Sequence, residues 1–154
     1  MEEKEIIQYI AESFDGVDVV TGTEGVALGD TFFIYDPERN LEPKRQFPFA
    51  TIVTKDYGDF DNASNLNRPG VFRLNIGLSR DTYRDRFGPH PSPADNTGHD
   101  FTVLDQLIPH PVYATQSWVS VLNPSTQTFE AIKPLLAEAY GMAMKRHRSG
   151  ARTR

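Results

Sequence analysis

The stretch "SNLNRPGVFRLNIG", Ser64–Gly77, decides how this chain folds. Its first half consists of small polar turn residues closed by Pro69-Gly70, and from Val71 onward it alternates. Successive side chains of an extended chain point to opposite faces. Phe72, Leu74 and Ile76 therefore share one face, and Val71, Arg73, Asn75 and Gly77 share the other. A strand with one apolar and one polar face fits an antiparallel sheet covered on one side. Arg73 and Asn75 are then expected on the solvated side.

Reading outward from this strand, Val17–Thr21, Thr31–Asp36 and Phe47–Lys55 before it and Pro111–Asn123 after it have the composition of further strands. The first strands follow one another without intervening helices, so the sheet is expected to be antiparallel. A helix is expected over Glu2–Phe14, where Ile6, Ile10 and Phe14 recur at helical spacing behind an acidic first turn. Ser79 can cap a short helix running to about Phe87. "HDFTVLDQLIPH", His99–His110, reads as a short helix or helical turn halted before Pro109. The last helix starts near Ser125 or Thr126, with Phe129, Ile132, Leu136 and Tyr140 on one stripe. Pro134 inside it should kink it or mark a new start. The expected fold is an α+β two-layer sandwich: an antiparallel sheet with the N- and C-terminal helices on one face. It forms a single domain over residues 1–147, followed by a basic C-terminal tail, 148–154.

A chain of 154 residues is long enough for one self-sufficient core. It has no cysteine, which excludes disulfides, thiolate metal sites and cysteine nucleophiles and suits a reducing, cytoplasmic setting. The acidic N-terminus "MEEKEIIQYI" has no secretory pattern, and no apolar run approaches the ~20 residues a membrane span needs. The net charge of −5 is uneven: Lys145, Arg146, Arg148, Arg152 and Arg154 lie in the last ten residues without an acid. Without them, eleven basic residues face 21 acidic ones. An acidic body repels phosphate backbones, so nucleic acid is a poor default partner.

Four stretches, "FPFATIVT", "SNLNRPGVFRLNIG", "HDFTVLDQLIPHPVYATQSWVSVLNP" and "IKPLLAEAYGMAMKRH", together resemble a bacterial family catalogued as domain of unknown function 6194. The resemblance runs from about Ile6 to His147, and "RPGVFRLNIG" and "PHPVY" are its specific parts. More remotely, "SWVSVLN" followed by "LLAEAY" is similar to the YjbR (or MmcQ) family. That likeness implies a frataxin-like α+β sandwich with two helices on an antiparallel sheet, and a DNA-binding role suggested for such domains. The first resemblance implies no activity.

Function is less legible than fold. The leading expectation is a small cytoplasmic binding domain whose polar sheet-and-loop surface takes a small anionic ligand. Arg73 would be its forked donor, with Asn75 beside it and Asn65 and Arg68 from the preceding loop nearby. Trp118 is either a core anchor under the last helix or the aromatic wall of a pocket. The alternative is a metal-assisted enzyme using His99, Asp100 and His110, with ordinary ligand types but no compact spacing. A second alternative is nucleic-acid binding through the basic tail. The glycines Gly22, Gly25 and Gly29 do not form a nucleotide fingerprint, no serine lies in a nucleophile elbow, and no cofactor is expected. An exposed sheet face or edge would allow a homodimer.

Overall fold

In chain order the elements are α1 (Glu3–Ser13), β1 (Val17–Thr21), β2 (Thr31–Tyr35), β3 (Ala50–Val53), β4 (Arg73–Gly77), α2 (Arg80–Phe87), β5 (Leu107–Pro109), β6 (Trp118–Leu122) and α3 (Thr126–Arg152). They come from a computed structural model that describes residues 1–91 and 99–152. The proline- and glycine-rich stretch Gly88–Gly98, which reads as an exposed loop, therefore falls largely outside the described residues, as does the end of the tail, 153–154.

The six strands form one sheet in the order β1-β2-β3-β4-β6-β5, every pair antiparallel. The register puts Ala50 and Ile52 of β3, Leu74 and Ile76 of β4, and Val119 and Val121 of β6 on one face. Phe33 joins them from β2. Against this face lie Ile6 and Ile10 of α1 and Phe129, Ile132, Leu136, Ala139 and Ala143 of α3, all in one buried cluster. Both terminal helices thus cover the same side of the sheet. Each fully buried aliphatic side chain here contributes about 1.5–3 kcal/mol. Ser79 caps α2 by accepting from Thr82 N at 3.2 Å. Glu138 of α3 accepts from Ser79 N and from Thr82 Oγ1, which stitches the short helix to the long one.

Three local expectations are corrected. The segment from His99 to His110 holds no helix; it contains β5, an edge strand on β6. Leu107 and Ile108 belong to opposite faces, a period of two within a window too short to show it. Pro109 is tolerated at a sheet edge, where its missing N–H is not needed by a further strand. Residues 111–117 are not strand either: Ala114–Gln116 forms a 3₁₀ turn before β6. At Pro134 the helix continues, and α3 runs unbroken from Thr126 to Arg152. An interior proline costs about 3 kcal/mol or more; the buried stripe on both sides of it offsets that. Among the described residues no helix is long and apolar enough to cross a membrane.

Candidate functional site

The face opposite the helices carries Arg73 and Asn75, as alternation requires, but it is not open to solvent there. Arg73 is 0% exposed and Asn75 is 2% exposed. The expected solvated position of both residues is therefore wrong. Alternation assigns a side chain to a face and says nothing of what lies over that face. Here the 56–70 connection and the chain after His99 form a roof. Leu66 and Phe101 pack with Val53, Ile108 and Leu122 into a second, smaller core.

Beneath this roof the Arg73 guanidinium is almost fully committed. Nη1 donates to Asp61 Oδ1 and Ser64 Oγ, both at 3.0 Å. Nη2 donates to Asp61 Oδ2 at 2.5 Å, and Nε to Asn75 Oδ1 at 2.8 Å. Asn75 Oδ1 also accepts from Ser120 Oγ at 2.7 Å, while Asn75 Nδ2 donates to Thr51 Oγ1 at 3.0 Å. Thr51, Asn75 and Ser120 occupy matched register positions, so they form a polar rung across three strands. A paired guanidinium has no charge left to attract an anion. Its work is to hold the 56–70 loop onto the sheet.

The loop has further ties. Tyr57 Oη donates to the buried Asp30 carboxylate, whose Oδ1 also accepts from Thr54 N at 2.9 Å. Burial and the Asp30 carboxylate push the Tyr57 phenol above its ordinary range. Arg68 donates to three backbone carbonyls, those of Asn65, Ser64 and Thr102, which joins the two halves of the roof. Asn65 is exposed, with a left-handed backbone at φ 50°, and its carbonyl serves Arg68. Arg68 and Asn65 thus build the loop.

His110 is 3% exposed and stands against this cluster. Its Nδ1 accepts from Val112 N and Tyr113 N, both at 2.9 Å. The ring proton of the neutral imidazole must then be on Nε2, which lies 3.4 Å from Arg73 Nη2. Two donors meet at that contact, so it is a close approach rather than a hydrogen bond. Burial, with the Arg73 charge behind it, holds the His110 pKa well below the usual histidine range. Asp100 is exposed and accepts from Thr102 N and Oγ1, and His99 is exposed beside Phe101. Among the described residues, His99, Asp100 and His110 do not come together as a group able to hold a metal.

Trp118 is half-buried and lies on the face away from the last helix, so it is not an anchor beneath α3. Its register partner is Gly77, where an added Cβ would stand 2.9 Å from the indole. Glycine at 77 is explained by this close approach.

Room for a ligand exists elsewhere. A cleft of about 380 Å³ lies between the 38–47 loop and the last turns of α3. Asp36, 1% exposed, shapes the loop wall: Oδ1 accepts from Asn40 N at 3.1 Å and Oδ2 from Leu41 N at 3.2 Å. Gln46 Nε2 donates to Leu41 O, closing the loop into the short turn that carries Arg45. From the other side α3 supplies Arg146 and His147, the latter edge-on to Tyr35 with centroids 5.2 Å apart. Among the described residues neither Arg45 nor Arg146 makes an ion pair. Phe47 lines the same cleft and is 67% exposed.

The profile of a family described as "Family of unknown function (DUF6194)" matches residues 1–152. The chain belongs to that family. No curated protein and no solved structure matches it. For this member of the DUF6194 family, the residues singled out from the sequence lie in or around the roofed network, whereas the cleft residues were not foreseen. Their only sequence signal is two islands of positive charge, Lys44-Arg45 and Lys145-Arg146, in an otherwise acidic body. They lie 101 positions apart (45 to 146), and nothing in either island says that the fold brings them together.

Proposed function

We propose that this DUF6194 member is a small cytoplasmic binding domain, not a catalyst, and that it takes a small anionic ligand in the cleft between the 38–47 loop and α3. The observation that carries this reading is the pair of unpaired guanidiniums, Arg45 and Arg146, lining one cavity of ligand size. An arginine without a carboxylate partner keeps its full attraction for an anion, and its planar fork recognises carboxylate or phosphate oxygens. Arg146 lies six residues before the end of α3, so the negative end of the helix dipole does not oppose an anion there. The anionic ligand expected from the sequence is kept, and its seat moves from Arg73 to the cleft. A cytoplasmic setting is supported by the absence of cysteine. The remoter YjbR likeness remains part of this reading and rests on the tryptophan-bearing strand and the helix after it.

Thermal unfolding at constant ionic strength tests the proposal. Inorganic phosphate and acetate are added in turn to the natural protein, Arg45→Ala and Arg146→Ala. A ligand that binds only the folded state raises the midpoint in proportion to its affinity. The natural protein should respond and the two variants should not. Equal responses in all three, or none in any, would overturn the proposal.

A further inference from the structure

The cleft's lining also states the class of anion it takes, an inference that rests on the reading just given. Arg45 and Arg146 are opposed by one acid, Glu38, whose Oε2 already accepts from Asn40 Nδ2 at 3.2 Å. With histidine counted as neutral, the lining carries a single excess positive charge. That balance fits a monoanion and is too small for a polyphosphate. Much of the remaining wall is apolar: Ile34, Tyr35, Leu41, Phe47 and Ala143. Phe47 is the most exposed large hydrophobic residue among those described, although it lies beside buried Ile34 in the same cavity. Water around such a ring is released when an apolar group covers it. A volume of about 380 Å³ leaves space for a body as well as a head group. We propose that the ligand is a monocarboxylate carrying an aryl or alkyl body, its head between Arg45 and Arg146 and its body against Phe47.

Calorimetric titration of the full chain with four probes tests this: acetate, phenylacetate, the neutral 2-phenylethanol and inorganic phosphate, at constant ionic strength. Phenylacetate should bind at least tenfold more tightly than acetate or phosphate, and 2-phenylethanol should not bind measurably. Phe47→Ala should reduce phenylacetate affinity to that of acetate. Arg146→Ala should abolish both, with partial recovery in Arg146→Lys. Both positions are exposed, and unchanged unfolding midpoints will show that the variants fold. If acetate and phosphate bind as well as phenylacetate, the apolar body is refuted while the anion site stands. If 2-phenylethanol binds as well as phenylacetate, or if no probe binds, both readings fail together.

Discussion

Asp61 and Arg73 form a two-pronged ion pair, at 3.0 and 2.5 Å, with the arginine side chain 1% and the aspartate side chain 10% exposed. Asp61 lies on the long connection and Arg73 on a central strand, so the pair is the bolt between roof and sheet. Its geometry explains why a charged residue stands in the middle of the sheet.

Removing one partner should therefore be much worse than removing both. Asp61→Ala leaves a buried guanidinium without its counter-charge, and the expected loss is about 3–5 kcal/mol in urea unfolding. The double variant Asp61→Leu/Arg73→Met should recover at least half of that loss, because apolar pairs of similar volume can replace buried ion pairs. Additive losses in the double variant would show that the pair is not the bolt.

The His110 environment makes stability depend on pH with a definite sign. Its folded pKa is lowered by burial and by Arg73, so the unfolded chain binds the proton more readily. The His110 contribution is complete above the unfolded value near 6.5. It is lost as pH falls below that, at up to about 1.4 kcal/mol per unit, until the folded value is reached. Subtracting the pH profile of His110→Gln from that of the natural protein isolates this slope. Nitrogen-detected NMR of the natural protein at neutral pH should find the proton on Nε2. A proton on Nδ1 would contradict the two backbone donors.

Gly77→Ala should collide with the Trp118 ring, whose Cε2 would lie 2.9 Å from the new methyl. Overpacking of this kind costs about 1–3 kcal/mol. Trp118 is the sole tryptophan, so its emission reports the displacement directly. Combining Gly77→Ala with Trp118→Ala should cost less than the sum of the two single changes.

Tyr57→Phe removes one donor from the buried Asp30 carboxylate and leaves those from Thr54. Loss of a hydrogen bond to a charged group costs about 1.5–3 kcal/mol. Amide hydrogen exchange should accelerate first in residues 56–70, while the core strands β3 and β4 keep their protection. Uniform acceleration would mean that the loop is not held by this contact.

Much of this architecture is local and therefore legible from the residues. Alternation at Phe72–Ile76 and the helical spacing of Ile6, Ile10, Phe129, Ile132 and Leu136 determine which side chains share a face. Those two periods sufficed to put both terminal helices on one side of an antiparallel sheet and Arg73 on the other. What covers Arg73 is a matter of contacts between segments distant in the chain, such as Asp61 with Arg73 and Arg68 with Thr102. The same holds for β5, too short to carry a period of its own, and for Arg45 and Arg146, which share a cleft only because β2 and α3 pack together. Repeats within a segment set its shape and its apolar side; burial, charge pairing and the ligand cleft depend on which segments meet, and that is decided only when the whole chain closes.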